Sequence, residues 1–420
     1  MSSRRAPDNN SGLKPVQKIE LSERRIKLRI VLVVLFIVIA LAAFAVGIIF
    51  YLSTDAGWRQ VEASAADTNC SQDFIFYYEI QNGGLDGTAE NRAVATSYGE
   101  AAVEAYRIFN PQERFDGLYN LAYLNENINT KIEIDATLYN ALALLESYGN
   151  RTVYLGPVYA YYYNIFYSPD EANAAFYDPY KNEDMAEYFR RVAEYANDGE
   201  SINIELYGNN TVMLSVSEEY QQFAKDNAVD YYLDFFVLKN AFIIDYLAES
   251  LIEDGFTKGI ITSYDGYTRT LGEDRQFSID VLDKNGEYAY IAGTVSSTGC
   301  ISAVRMHNYS LGSADHGYNY GYSDGTAATA YVDPADGLYK SCINDLIGYS
   351  RGTGCAELML NLLPVYIADE FNSSALSALK AEKGIYSVYC ADNELIYNDK
   401  DLIVTVTSTS EVSYSKKYEE

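Results

Sequence analysis

Histidine and tryptophan are almost missing from this 420-residue sequence, which has only His307, His316 and Trp58 of these types. So few imidazoles exclude a histidine-rich zinc site and give a Ser-His-Asp triad little to draw on. Proline is also sparse, at eight residues, and no Pro/Gly-rich stretch or internal repeat divides the chain. Basic residues are scarce beyond the N-terminus. Residues 1–29 hold eight Lys/Arg against three acids, and the remainder holds 23 against 56. A field of that sign repels nucleic acid and anionic headgroups and attracts hard cations, although acidity also serves simply to keep a surface soluble. Nucleic acid is therefore excluded as a partner. The five cysteines (Cys70, Cys300, Cys342, Cys355, Cys390) form no Cys-x-x-Cys pair, and the odd count leaves at least one unpaired within the chain.

What is present begins with a long apolar run. Ile30 to Leu52 is 23 residues without a charge, preceded by Arg24, Arg25, Lys27 and Arg29 and followed by Asp55. A helix of that length rises about 35 Å and spans a hydrocarbon core with some tilt. The basic tail before it predicts a single-pass anchor in the cell membrane, N-terminus cytoplasmic and residues 53–420 outside. A cleaved signal peptide competes with this reading, but its apolar core is usually about 7–15 residues. No cysteine follows at a lipobox position.

The expected divisions are a basic tail at 1–29, the span at 30–52, a linker at 53–74, one domain at 75–408 and a polar tail at 409–420. Hydrophobic residues make up 48%, enough for a packed core, and most of the 41 tyrosines fall in helix- or strand-like runs such as Tyr161-Tyr162-Tyr163. Core and rim packing is their expected use, with sugar or partner binding the alternative.

Helical periodicity covers Thr88 to Phe109, a segment capped by Asp135, Asn182 to Asn197, Asn240 to Asp254, Cys355 to Leu363 before Pro364, and Ser374 to Glu382 before Gly384. Ser168-Pro169-Asp170-Glu171 reads as a capping box with Pro at the first helical position. Period-two segments flank Gly208-Asn209-Asn210 and Asp283-Lys284-Asn285-Gly286 as hairpins, and Gly259 to Thr262, Ile385 to Cys390, Leu395 to Tyr397 and Leu402 to Thr407 read as strands. Tyr309 to Gly325, with His307 and His316 in or beside it, reads as a long loop. The fold class is α+β with antiparallel hairpins rather than a regular βαβ alternation.

In this order the chain resembles the ApbE family of FAD:protein FMN transferases over about residues 75–400. Leu118 to Asn127, the helix from Asp135 and the turn Leu155-Gly156-Pro157 match the family's first half. Asp234 and Asp245 keep the eleven-residue spacing of its Asp-x-Gly-Gly-x-x-Lys-Gly-x-x-x-Asp stretch. Asp265-Gly266-Tyr267 stands where the family has Gly-Gly-Asn, Ser297-Thr298-Gly299 where it has Thr-Ser-Gly, Val332 to Gly337 at its His-Ile-x-Asp-Pro-x-Thr-Gly loop, and Ala356 to Asn361 at its Ala-Asp-x-x-x-Thr. The resemblance implies an ApbE-type (T-fold-like) α+β fold of antiparallel sheets with packed helices, after one N-terminal transmembrane helix. It also implies FAD and Mg²⁺ as cofactors and a flavoprotein acceptor whose Thr or Ser receives FMN. Flavin binding then falls to Asp234, Lys239, Gly266, Ser297, Thr298 and Asp333, and the metal to Glu357 and Asn361.

The residues depart from the pattern at the places that matter for chemistry. Phe236 and Val237 replace the paired glycines, Lys239 is one position from the family lysine, and Glu357 and Asn361 replace Asp and Thr. No histidine precedes the Asp333 loop. Taken alone, Glu357 and Asn361 are one helical turn apart and offer oxygens to a hard cation, or form a solvated polar stripe. Asp333 to Gly337 is a turn signature whether or not it holds a cation. Ser297 and Thr298 could face a phosphate, and Lys239 could neutralise a pyrophosphate or lie on the surface. Three readings follow: a membrane-anchored flavin transferase, a non-catalytic protein of the same fold that binds flavin or a partner, and an unrelated tyrosine-rich surface module for carbohydrate or protein.

Overall fold

The computed structural model describes residues 31, 34–36, 39, 54–63, 73–272, 276–286, 288–311, 317–408 and 412–420. The basic tail, nearly all of the run from Ile30 to Leu52, Cys70 and His316 lie outside them. Among the described residues, no helix is long and apolar enough to cross a membrane.

The organising element is a nine-stranded sheet. Its spatial order is Gly57–Val61, Phe74–Ile80, Gly259–Ser263, Tyr267–Thr270, Ser302–His307, Asp345–Ser350, Ile385–Ala391, Glu394–Tyr397 and Ser415–Tyr418. All pairings are antiparallel except the last, in which Ser415–Tyr418 runs parallel to Glu394–Tyr397. Successive side chains of a strand face opposite ways, so this sheet separates two cores. Leu346, Val304 and Tyr389 join the larger core under the helices, while Ile347, Ala303 and Val388 join the smaller one. Covering that second face is a three-stranded sheet of Gln276–Asn285, Tyr288–Thr298 and Ile403–Val406, which contributes Val281, Val295 and Val404. The strand Asp345–Ser350 is buried on both faces along its whole length.

On the first face, the helix Lys239–Glu253 packs against both Gly84–Ile108 and Cys355–Tyr366. A second three-stranded sheet (Ile132–Glu133, Ile202–Gly208, Thr211–Val216) lies beside the helices Ala136–Ser147 and Glu183–Asn197. Most tyrosines serve packing, as expected: Tyr98, Tyr154, Tyr159, Tyr162, Tyr220 and Tyr267 are fully buried. Buried hydroxyls find partners where a carbonyl is in reach, as with Tyr267 donating to Val237 O at 2.7 Å.

Several expectations hold in detail. Asp135 caps its helix by accepting from Thr137 and Leu138 N–H, and Asn209 and Asn210 turn their hairpin at φ of 50° and 56°. Others need correction. Gly57–Val61, read as linker, is an edge strand, and Ser415–Tyr418, read as polar tail, is the opposite edge. Asp170, not Ser168, caps the Glu171–Tyr177 helix, because the Ser168 hydroxyl donates back to Asn164 O. Pro364 does not stop its helix, which continues to Tyr366. Within Tyr309 to Gly325, read as a loop, Asn319–Gly321 pairs with Ala327–Thr329.

Candidate functional site

The site follows from how the Gly156–Phe166 helix meets the segment 231–239. Gly156 opens that helix against the Tyr232 carbonyl. A Cβ there would lie 2.6 Å from Tyr232 O, so only glycine permits the approach. Asp234 N–H donates to Val153 O at 2.9 Å, which ties the two segments side by side. Between them opens a cleft of about 550 Å³, whose lining includes Tyr159, Tyr163, Tyr167, Phe236, Asp73, Asp234 and Lys239. Aromatic rings and polar groups share its walls. Phe236 stacks on Tyr159 with centroids 4.4 Å apart and planes 16° apart, and Tyr163 stacks on Tyr167 at 4.6 Å. Asp234 Oδ1 accepts the Phe236 N–H at 2.9 Å. Burial pushes the Asp234 carboxyl up, while the Lys239 ammonium and the Phe236 N–H pull it back.

Beside the cleft lies a buried polar cluster. Asn240, next to Lys239 in sequence, is 1% exposed and donates through Nδ2 to Asp265 Oδ2 at 3.0 Å and to Tyr318 Oη at 2.8 Å. Gly266 follows at φ +97°, and a Cβ there would sit 2.3 Å from Arg305 O, so the turn between Gly259–Ser263 and Tyr267–Thr270 requires glycine. Of the expected flavin residues, Asp234 and Lys239 thus share the cleft, and Gly266 shapes the turn next to the adjoining cluster.

The remaining candidates lie in other places. Ser297 Oγ accepts from the Arg351 guanidinium at 3.0 Å, and Arg351 pairs with Asp399 at 2.6 Å; Thr298 is exposed. Asp333 accepts from Lys340 Nζ at 2.7 Å, and Asp336 does so at 2.8 Å. Neither group contributes to the lining of the cleft.

Glu357 and Asn361 share a helix face, as their spacing requires, but both are engaged. Glu357 accepts from Tyr148 Oη at 2.8 Å and Thr353 Oγ1 at 3.2 Å. Asn361 turns its Nδ2, not its oxygen, toward Glu357 O at 2.7 Å and Tyr148 Oη at 3.2 Å. The Lys383 ammonium donates to the same Tyr148 hydroxyl at 3.0 Å. Mg²⁺ wants near-octahedral oxygen ligands. One carboxylate, an amide nitrogen and a neighbouring ammonium do not fit it. Among the described residues, no group of three His, Cys, Asp or Glu side chains is placed to hold a metal ion.

Sequence reasoning missed Phe236 as a wall, the Asn240–Asp265–Tyr318 cluster, and Tyr148 with Lys383 at Glu357. Two of these had a signal: Phe236 stands where the family has a glycine, and Asp265 lies beside Gly266. Cys300, Cys342, Cys355 and Cys390 are all unpaired.

No family model matches the sequence, and no curated protein does. Among solved structures, the ApbE protein from Thermotoga maritima superposes with a TM-score of 0.52 and 9% identity, over 84% of this chain and 98% of that one. The flavin transferase ApbE from Vibrio cholerae gives 0.45 and 10%, over 84% and 98%. The apo flavinyl transferase ApbE from Pseudomonas stutzeri gives 0.44 and 11%, over 79% and 90%. At 9% identity the first of these likenesses speaks for architecture, and this chain has a divergent ApbE-like fold.

Proposed function

We propose that this chain is a flavin-nucleotide-binding protein of ApbE-like fold that works without metal-dependent FMN transfer. The observation that carries the reading is the cleft, with aromatic rings in its walls and a volume of about 550 Å³ that falls in the range of small-molecule sites. Tyr159, Tyr163 and Tyr167 offer faces for a flat ring system, and Lys239 offers one ammonium for a phosphate. Against transfer stands the Glu357–Asn361 face, where the carboxylate accepts from Tyr148 and Thr353 and the amide nitrogen donates to the Glu357 carbonyl.

The uncharged run from Ile30 to Leu52 supports a tether, so the domain is proposed to work at a membrane surface, on the side opposite its basic tail. The transferase reading remains the contrasting outcome of one assay. Purified full-length chain is incubated with FAD, Mg²⁺ and a Thr-containing acceptor flavoprotein, and covalent flavin is read as fluorescence on a denaturing gel. The expected result is no labelled acceptor. A labelled acceptor that disappears on chelating Mg²⁺ would replace the binding reading with the transferase one.

A further inference from the structure

Phe236 has a φ of +39°, a left-handed backbone that bulky side chains rarely adopt. The other non-glycine residues with positive φ among those described are asparagines, one aspartate and one alanine. Such strain persists only where the surroundings over-determine it, and it concentrates at ligand clamps. Two kinds of contact hold the turn. Asp234 Oδ1 accepts the Phe236 N–H at 2.9 Å, and Leu238 N–H donates to Phe235 O at 2.8 Å. The ring itself lies flat on Tyr159, with its planes 69° and 74° from those of Tyr162 and Tyr163.

We propose that Phe236 is a built-in occupant of the cleft, its ring covering the face of Tyr159 that a planar aromatic ligand takes when bound. This rests on the flavin-binding reading of the same cleft and names the residue that limits entry and selects for flat ligands. A saturated ligand of equal volume cannot replace one stacked ring with another. A flat ligand larger than phenyl covers more of Tyr159, and as it displaces the ring the turn relaxes out of the left-handed region, which offsets part of the cost of opening. While the ring is in place, apparent affinity is reduced by the fraction of molecules that are open. Glycine populates φ near +39° freely. Phe236→Gly therefore keeps the turn and its Asp234 bond and removes only the occupant.

The test titrates full-length wild type and Phe236→Gly with FMN, read by flavin fluorescence, and with neutral phenylnaphthylamine, read by its own emission. Both ligands should bind the variant at least ~10-fold more tightly than wild type. Tightening of phenylnaphthylamine with no FMN bound by either protein would support the occupant and end the flavin reading. Equal binding of FMN to both proteins would overturn the occupant and leave the flavin reading standing, and a variant that binds neither would overturn both. Should Phe236→Gly lose its cooperative urea transition, Phe236→Trp decides, since a larger ring in the slot must weaken binding of both ligands. Unchanged binding there overturns the proposal.

Discussion

Burial pushes the Asp265 carboxyl up to about 7, with Asp73 adding to the shift and the bonds from Ser263 and Asn240 opposing it. An unfolded aspartate titrates near 4, so the folded state holds this proton over a window in which the unfolded chain has lost it. Below that window both states are protonated and the group contributes nothing. As pH rises from about 4 to about 7 the unfolded state alone ionises, stability from this group falls, and above 7 the loss is complete. Asp265→Asn should therefore gain on wild type as pH rises, with the gap in urea midpoint larger at about pH 8 than at about pH 5. A gap independent of pH would mean Asp265 is not held protonated. Lys239 gives the second residue-scale expectation. Lys239→Ala should weaken FMN by roughly ten- to a hundredfold, the worth of a charged hydrogen bond, and leave riboflavin unchanged. Equal losses for both ligands would remove the phosphate from Lys239.

At the scale of elements, two helices depend on one borrowed side chain. The helix Cys355–Tyr366 has no side-chain cap of its own at Gly354. Asp245, from the helix Lys239–Glu253, supplies it by accepting from Cys355 and Ala356 N–H at 2.9 Å each, and it also pairs with Arg269 at 3.1 Å. Removing one partner of such a pair leaves the other buried and uncompensated. Asp245→Ala should cost about 3–5 kcal/mol in urea denaturation, and a loss within experimental error would show that the pair is not what docks the helices. Local signals gave the cores of these helices, because 3.6-residue periodicity, and Gly255 after the first of them, are written in the segments themselves. They did not give the cap, which comes from a residue more than a hundred positions away, nor did they show that the helix runs past Pro364.

For the whole molecule, what was legible is what alternation and turn chemistry encode: an α+β chain with hairpins at Asn209-Asn210 and Gly286, and tyrosines spent on cores. The edge strands were not, since Ser415–Tyr418 is exposed along its length and Gly57–Val61 nearly so, leaving no apolar pattern to read. The candidate site was legible only over short distances. Asp234 and Lys239, five positions apart, land in one cleft, whereas Ser297, Asp333 and Glu357 depend on how sheets and helices stack, and they reach three other places. The central claim is that this cleft holds flavin with no metal. Its most direct test is fluorescence titration of the full-length chain with FMN, run once with excess EDTA and once with Mg²⁺. The account predicts saturable quenching with the same Kd in both; no quenching up to millimolar FMN, or binding that requires Mg²⁺, would contradict it.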